Sequence, residues 1–243
     1  METAIEVSDL HKSYGSIKAV NGISLTVSCG EVLGLLGANG AGKSTTIECI
    51  LGIRHPDRGK ISILNMDPYK ERKKIFEKVG VQFQEISYQD KIKVSELCQV
   101  TSSFYKNPAE YAELLNQFGL NDKQHSYVAE LSGGQKQRLF IVLSLIPKPD
   151  VVFLDELTTG LDPKARRMVW KSLTDLKKKG LTILLTSHFC DEVEVLCDRI
   201  MILKKGAVTF YGTVSEAISK SPFNQFENAY LWYADEEEEN EDL

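Results

Sequence analysis

The chain has 243 residues, of which 42% are hydrophobic and 26% are charged, and its formal net charge is −5. These values fit one large or two small soluble globular domains. No apolar run approaches the roughly 18 residues that a membrane-spanning helix needs, and residues 1–10 lack the basic and then apolar pattern of a secretory signal. We therefore expect a cytoplasmic chain that does not itself cross a membrane.

The negative charge is concentrated at the C-terminus. Seven carboxylates lie within residues 235–242, so 29 Lys and Arg residues face 27 carboxylates elsewhere. A nearly neutral body lacks the dense basic face of a nucleic-acid-binding protein, and we expect no nucleic-acid partner. The acidic tail at 235–243 is expected to be disordered, with a role in repelling or docking a partner as the alternative.

The five cysteines are odd in number and have no metal-like spacing. This pattern predicts free thiols in a reducing compartment. With only four scattered histidines, it also argues against a structural zinc site.

Two strands are predicted at the start of the chain. Residues 4–9 and 23–27 alternate apolar and polar side chains, which is typical of half-buried antiparallel strands. Tyr14 lies between them, just before Gly15. Its ring could stack on a nucleobase or simply close a hairpin, and the residue alone favours the second interpretation.

Residues 37–45 read GANGAGKST and lie between the apolar run 32–36 and the helix-like run 46–53. The GxxxxGKS pattern in this context predicts a phosphate-binding loop, and disfavours a glycine-rich turn that merely connects a strand to a helix. The helix N-terminus adds positive potential, Lys43 can reach the outer phosphates and the Ser44 hydroxyl can complete the shell of Mg²⁺. The loop residues expected to contact the nucleotide are Asn39, Gly40, Ala41, Gly42, Lys43, Ser44 and Thr45.

The middle of the chain is predicted to be helical. An exposed helix at 70–78 and a strand at 79–84 precede a polar, helix-prone segment that extends to about residue 129, so a subdomain boundary is expected after this strand. Residues 105–119 carry apolar side chains at helical spacing and end in Gly119. This pattern predicts an amphipathic helix with a glycine C-cap.

Residues 131–138 read LSGGQKQR and open a helix that continues to Pro147. Ser132 is a good N-cap, but an N-cap does not require the two glycines that follow. These glycines leave the first N–H groups of the helix open to an anion. We therefore predict a second phosphate-binding site in the same chain.

Two further strands end in chemically suggestive residues. The apolar run 151–154 predicts a buried parallel strand that ends at Asp155 and Glu156. Open α/β sheets bind ligands at this end of their strands, which favours Asp155 as a Mg²⁺ ligand and Glu156 as a base for water over simple solubilising residues. The strand predicted at 181–185 is followed by His188. A single histidine is more often structural, but this one is placed to sense a terminal phosphate.

The last third of the chain adds helices. Asp162 and Pro163 begin an amphipathic helix that ends at Gly180, and on residue type alone Asp162 is only a helix cap. Another helix is predicted at 192–199. Aromatic residues near the C-terminus recur at helical spacing and are expected to pack onto the body of the fold, with partner docking as the second interpretation. They are Phe223, Phe226, Tyr230 and Tyr233.

Taken in order, the motifs GANGAGKST, LSGGQ and VVFLDE with His188 resemble those of the nucleotide-binding subunit of ATP-binding cassette (ABC) transporters, over about residues 5–213. The resemblance implies an α/β fold of the P-loop NTPase class, the ABC ATPase fold. Its mixed sheet core carries an antiparallel β subdomain and an inserted α-helical subdomain.

The same resemblance implies a division of the chain. Residues 1–234 would form one ABC nucleotide-binding domain. Its RecA-like core would cover about 1–85 and 148–218, and its helical subdomain about 86–147. The acidic tail would follow as a separate, disordered segment.

Residue roles carried over from the resemblance extend the predicted site. Tyr14 becomes the adenine-stacking aromatic, which reverses the interpretation from the residue alone. Gln84 would link Mg²⁺ and the attacking water to the helical subdomain, so the metal site would comprise Ser44, Gln84 and Asp155. The catalytic set would be Glu156, His188, Gln84 and Lys43.

Further roles belong to a second subunit. The signature residues would close over the γ-phosphate of the second subunit's ATP, and Asp162 would cross the dimer interface. These signature residues are Ser132, Gly133, Gly134 and Gln135. One departure is Leu157, where the family usually has proline, and it leaves the stiffness of the turn at 158–162 open.

The implied function is that of an ATPase that dimerises head to tail around two ATP molecules and drives an integral membrane permease, to which it binds on the inner face of the membrane. Residues 158–206 look most like exporter-type subunits. The alternative is a soluble ABC ATPase acting in translation or DNA maintenance, for which we would expect two cassettes with a basic linker or long heptad segments. A module that only holds ATP is disfavoured because Glu156 is present.

Overall fold

The computed structural model describes residues 2–82 and 88–234, and within these residues the strands form two sheets. The strands are β1 (Thr3–Tyr14), β2 (Ile17–Ser28), β3 (Val32–Leu36), β4 (Arg58–Ile63), β5 (Val79–Gln82), β6 (Val151–Leu154), β7 (Thr182–Thr186), β8 (Arg199–Lys204) and β9 (Ala207–Gly212). One sheet has the order β2-β1-β4, and the other has the order β5-β6-β7-β3-β8-β9. The mixed α/β architecture predicted from the sequence is confirmed.

The smaller sheet is antiparallel and contains both strands predicted near the N-terminus. Ile5 and Val7 are buried while Glu6 between them is exposed, because alternate side chains of a strand point to opposite faces. Both strands are longer than predicted and reach a tight turn, where Tyr14 pairs with Ile17. Tyr14 therefore lies at the tip of a hairpin.

The main sheet is parallel from β5 through β8, and β9 pairs antiparallel with β8. β3, β6 and β7 are buried along their whole length, as expected of parallel strands covered on both faces. Parallel neighbours end at the same edge of a sheet. The residues that follow Leu36, Leu154 and Thr186 therefore meet there.

The main sheet separates two large hydrophobic cores. Val151 and Phe153 of β6 pack with the antiparallel sheet, while Val152 and Leu154 pack with the helices on the opposite face. This alternation follows from the two-residue period of a strand. Both cores thereby hold β6 rigidly in place.

Helices fill the connections between the strands. They are α1 (Lys43–Ile50), α2 (Arg72–Phe76), α3 (Val94–Ser103), α4 (Tyr111–Gln117), α5 (Gly133–Leu145), α6 (Pro163–Lys178), α7 (Cys190–Leu196), α8 (Val214–Ser219) and α9 (Phe226–Ala234). α3, α4 and α5 lie between β5 and β6 in the chain, and their apolar side chains share one core that includes Cys98, Leu115 and Leu139. The predicted helical character of this segment is confirmed.

The helix predicted at 105–119 is wrong at its start, because α4 begins only at Tyr111. Pro108 interrupts the pattern, since proline lacks the N–H of a helix and disfavours helical backbone in the residue before it. The next N–H, that of Ala109, donates to the carbonyl oxygen of Ile146 at 2.7 Å instead. The predicted end is correct to within two residues.

The helix predicted at 192–199 is displaced. α7 ends at Leu196, because Arg199 pairs with Leu33 as the first residue of β8. The pattern of apolar residues alone does not separate the end of this helix from the start of a buried strand. α1 likewise ends at Ile50, earlier than predicted.

Some predictions lie outside the described residues or stay untested. Gln84 and the acidic tail at 235–243 belong to the part of the chain that is not described. The division into a core at 1–85 and 148–218 and a helical subdomain at 86–147 stays a prediction. Across the described ranges, no helix has the length and apolar composition to span a bilayer.

The aromatic stripe near the C-terminus packs onto the body as predicted at Phe226, Tyr230 and Tyr233, but not at Phe223. Phe226 is 1% exposed and belongs to a third core under α9. Tyr230 and Tyr233 pack at the edge of this core, and the rings of Tyr233 and Phe210 lie 4.9 Å apart. Phe223 precedes the helix and is exposed.

We expect Phe226→Ala to lower the free energy of unfolding by about 3–5 kcal/mol, because it removes a fully buried ring. Leu231→Ala, on the exposed face of the same helix, serves as the control, and its effect should stay within about 0.5 kcal/mol. Urea denaturation measures both. Equal losses for the two variants would contradict the packing described for α9.

Candidate functional site

The loop between β3 and α1 has a backbone that only glycine can adopt at two positions. Gly37 has φ +144° and Gly42 has φ +103°. A Cβ atom at Gly37 would lie 2.4 Å from the Leu203 carbonyl oxygen, and one at Gly42 would lie 2.1 Å from that of Ala19. The glycines of the motif are therefore required for the shape of the loop.

The start of α1 is suited to an anion. Its N-cap is Gly42, which has no side chain to cap the first turn, and no acidic residue lies in that turn. The first N–H groups of a helix lack partners within the helix and carry partial positive charge. The loop and helix start have the local geometry that the sequence predicts, and phosphate binding by them stays a prediction.

Lys43 is held inside the loop and is only 7% exposed. Its Nζ donates to the carbonyl oxygens of Gly37 and Ala38 at 2.7 and 3.0 Å. Burial lowers the pKa of its ammonium group, while the charges of Asp155 and Glu156 oppose that shift. The cation therefore lies between the loop and two carboxylates.

A cavity of about 360 Å³ joins the elements that carry the predicted site. Its lining residues are Tyr14, Ala19, Asn39, Gly40, Gly42, Lys43, Ser44, Thr45, Asp155 and Glu156. The structure thus brings the hairpin tip, the glycine loop and the end of β6 together. Ala41 is the exception among the predicted loop residues, because its side chain packs into a hydrophobic core.

Asp155 and Glu156 are oriented by Thr186 at the end of the neighbouring strand. Thr186 Oγ1 donates to Asp155 Oδ1 at 2.5 Å and accepts from the backbone N–H of Glu156 at 2.9 Å. Nε2 of His188 lies 3.2 Å from Oε1 of Glu156. The predicted meeting of His188 with the carboxylate pair is observed.

The backbone of Glu156 is unusual for a residue with a side chain. Its φ is +50°, in the left-handed region. Nε2 of Gln137 donates to the carbonyl oxygens of Glu156 and Leu157 at 3.0 and 3.1 Å. Gln137 and Thr186 have no local sequence pattern that marks them, because only the tertiary fold places them beside the turn.

The LSGGQ segment caps α5 but does not line the cavity. Ser132 Oγ accepts from the N–H of Gln135 at 3.3 Å, and Oε1 of Gln135 accepts from the N–H of Ser132 at 2.9 Å. This is a capping box. Gly133 has open space beside it, whereas a Cβ at Gly134 would lie 3.1 Å from Leu161.

Asp162 is the N-cap of α6, and Pro163 is the first helical residue. Its Oδ1 accepts from the N–H groups of Ala165 and Lys164 at 3.0 and 2.9 Å. These bonds, chiefly that of Ala165, hold the pKa of the Asp162 carboxyl below its ordinary value. The capping interpretation is observed within one chain, and a role across a dimer stays a prediction.

Leu157, the departure from the usual family pattern, is fully buried in the core beneath the turn. Leu161 N–H closes the turn by donating to the Thr158 carbonyl oxygen at 3.1 Å. Packing and hydrogen bonds therefore fix the turn that follows Glu156 without a proline.

Glu192 is a buried carboxyl that the sequence analysis did not single out. It is fully buried in α7, and its Oε1 accepts from the indole N–H of Trp170 at 2.9 Å. Burial raises the pKa of its carboxyl, and the bond from Trp170 opposes that shift. In the sequence, the only signal for this residue is its position one helical turn after His188. A charged side chain on the buried face of a helix is uncommon.

The described residues include no cluster of three or more histidine, cysteine or acidic side chains that could hold a metal ion. Of the predicted metal ligands, Ser44 and Asp155 line the same cavity. Gln84 lies outside the described residues.

A larger cleft of about 760 Å³ lies elsewhere, beside β4. Tyr69 and His55 stack within it, with ring centroids 4.6 Å apart. It has no glycine loop at a helix N-terminus. The smaller cavity is therefore the better candidate for a phosphorylated ligand.

Comparisons with known proteins agree with this geometry. The family described as ABC transporter matches residues 20–159. A protein named Nod factor export ATP-binding protein I from Burkholderia orbicola is 41% identical over 207 residues, which cover 83% of this chain and 68% of the relative. A protein of the same name from Rhizobium etli is 42% identical over 209 residues, with 84% and 66% covered.

A solved structure also matches over nearly the whole fold. It is titled as the ATP-binding subunit of an ABC transporter and superposes with a TM-score of 0.87 at 28% identity, covering 96% of this chain and all of its own. Sequence family, relatives and fold thus agree with the phosphate loop and its carboxylates. The chain belongs to the ABC transporter family, in which it is an ATP-binding subunit and an ATPase.

Proposed function

We propose that this chain closes with a second ABC subunit around two ATP molecules and that hydrolysis drives export of a substrate through a separate membrane permease. One observation carries the dimer part of the proposal. Within residues 2–82 and 88–234, glycine-rich helix N-termini occur at α1 and α5, and that of α1 lines the cavity with Asp155 and Glu156 while that of α5 does not. A second subunit would supply the missing half of each site.

The cavity would hold ATP from base to phosphates. Tyr14 at the hairpin tip would stack on the adenine, since aromatic rings bind bases through their faces. The loop residues 39–45 would cradle the phosphates with backbone N–H groups. Lys43 would exchange its carbonyl partners at Gly37 and Ala38 for outer phosphate oxygens, which are stronger acceptors because they are charged.

The residues present suit Mg²⁺, which prefers oxygen ligands and binds few protein groups alongside phosphates. The Ser44 hydroxyl and the Asp155 carboxylate line one cavity, and Thr186 already orients Asp155. Gln84 would be the third protein ligand. The bound ion would neutralise charge that develops on the phosphates.

Glu156 would act as the base for the attacking water. Its carboxylate lies in the cavity and near His188 Nε2. As water oxygen bonds to the γ-phosphorus, its proton would pass to Glu156 and the bond to ADP would break. His188 would contact the γ-phosphate and report its presence, and Gln84 would position the water.

The signature residues 132–135 would close over the γ-phosphate bound to the other subunit. Gly133 has open space around it, and the capping box fixes the direction of the Ser132 side chain. Asp162 would lie at the interface between subunits. ATP would favour closure through charge-assisted bonds made only in the dimer, and hydrolysis would remove them.

Export is supported by the relatives, both of which carry the word export in their names. These names favour transport over the alternative role in translation or DNA maintenance. The substrate class of those relatives is not assigned to this chain. For this chain we propose a place on the inner face of the membrane, bound to its permease.

The permease contact is proposed near α3, within the stretch from Gln84 to Tyr105. Val100 is 48% exposed and Phe104 is 76% exposed. They are four residues apart and so share one face of the helix end. Exposed apolar side chains of this size are typical of a protein contact surface.

We expect Lys43→Ala to weaken ATP binding by about 100-fold, because it removes a charge-assisted contact worth about 1.5–3 kcal/mol. Titration calorimetry measures the dissociation constant. Lys171→Ala removes an exposed lysine of α6 and should bind ATP like the unaltered chain. An unchanged dissociation constant for Lys43→Ala would refute the loop assignment.

We expect Glu156→Gln to bind ATP but to hydrolyse it at least about 100-fold more slowly, because the amide cannot accept the proton of water. With ATP it should elute as a stable dimer in size-exclusion chromatography. Glu194→Gln, on the exposed face of α7, is the matched control. Fast turnover by Glu156→Gln would exclude Glu156 as the base.

We expect the chain to co-purify from detergent-solubilised membranes with an integral membrane protein identified by mass spectrometry. The double variant Val100→Asp, Phe104→Asp should lose it, because two charges would be desolvated in the contact. Leu231→Asp tests an exposed leucine on another helix. Equal recovery of the membrane protein with the unaltered chain, the double variant and Leu231→Asp would place the permease contact elsewhere.

A further inference from the structure

Gln137 connects two parts of the chain that the proposed function assigns to different ATP molecules. It lies one turn into α5, whose N-terminus is the LSGGQ segment. Its side-chain amide donates to two successive carbonyl oxygens, those of Glu156 and Leu157, at 3.0 and 3.1 Å. Gln137 does not line the nucleotide cavity.

The two bonds act on a strained backbone. Glu156 has φ +50°, a conformation that the Cβ atom of any residue except glycine disfavours and that persists only where its surroundings enforce it. Thr186 Oγ1 holds the N–H of Glu156, and Gln137 holds its carbonyl oxygen. The residue is thus fixed on both sides, which aims its carboxylate at the cavity.

The contact between α5 and the turn at 156–162 continues beside Gln137. A Cβ at Gly134 would lie 3.1 Å from Leu161 Cδ2 and 3.4 Å from the Gly160 carbonyl oxygen. Position 134 therefore has little room for a side chain, and the start of α5 packs closely against the turn. Together with the bonds from Gln137, this packing connects the signature to the backbone of Glu156.

We propose that Gln137 is a positioning residue that holds Glu156 in its catalytic conformation and couples it to the signature helix of the same chain. The inference rests on the proposed function, in which that signature contacts the ATP of the other subunit. ATP bound at one of the two sites between the subunits then adjusts the position of Glu156 at the other site. This coupling uses the two hydrogen bonds from Gln137 and requires no contact between Gln137 and nucleotide.

The test of positioning is Gln137→Met, which keeps the length of the side chain and removes the N–H donors. We expect kcat to fall about 10- to 100-fold, since small misplacements of a catalytic group have effects of this size. The dissociation constant for ATP should stay within about twofold, because the loop is untouched. Gln124→Met, at a partly exposed glutamine whose amide donates to Asn121, is the matched control.

Gln137→Glu gives an independent variant, since an ionised carboxylate repels the two carbonyl oxygens while a protonated one donates to one of them. Its kcat relative to the unaltered chain should therefore rise as the pH falls, whereas that of Gln137→Met should not. Thermal denaturation of each variant confirms that it is folded. A kcat within twofold of the unaltered chain for both variants overturns the positioning role.

The coupling is tested by the Hill coefficient for ATP in steady-state hydrolysis. We expect a value above 1 for the unaltered chain and a value near 1 for Gln137→Met. An unaltered Hill coefficient in Gln137→Met overturns the coupling. Failure of the proposed function itself is distinguishable, because Glu156→Gln would then hydrolyse ATP at the normal rate.

Discussion

The site depends on the side-by-side parallel pairing of β6, β7 and β3. β7 pairs with both of its neighbours, so the ends of all three strands meet at one edge. The glycine loop follows β3, the carboxylates follow β6, and Thr186 ends β7. A chain that paired these strands differently would keep every motif and lose the cavity, because motifs more than a hundred residues apart have no other reason to meet.

Polar contacts then refine what strand pairing brings together. Thr186 bonds to both Asp155 and the backbone of Glu156, and Gln137 holds the carbonyl oxygen on the other side. These contacts stabilise a backbone conformation that costs roughly 1–3 kcal/mol. Strain of this kind concentrates at active sites, where it fixes the direction of a reacting group. The carboxylate proposed as the base is thus placed by Thr186 and Gln137, which do not line the cavity.

The helix N-termini of α1 and α5, both predicted to bind an anion, differ in how their first N–H groups are capped. α1 begins at a glycine with no capping side chain, and a buried lysine stands beside it. α5 is closed by the capping box of Ser132 and Gln135. A capping box satisfies some of the N–H groups at a helix start, and here Gly133 next to it is exposed. The first end therefore lacks a side-chain cap, whereas the second is capped by side chains of its own segment.

The sequence by itself determined the local chemistry: the phosphate loop, the cap at Ser132, the cap at Asp162, and strands that end in Asp155 and before His188. Each depends on neighbours within a few residues, so spacing and residue type suffice to predict it. Prediction from the sequence was wrong where local signals conflict, as at Pro108. It was also wrong where the pattern of a helix and that of a buried strand look alike, as at Arg199.

Only the tertiary structure decided which distant residues touch. It put Tyr14 into the cavity, turned the Ala41 side chain into a core, and set Thr186 and Gln137 against the turn of Glu156. The physical reason is that threonine and glutamine carry no distinctive local pattern. Their role arises from hydrogen bonds to backbone groups that strand order and helix packing bring within reach.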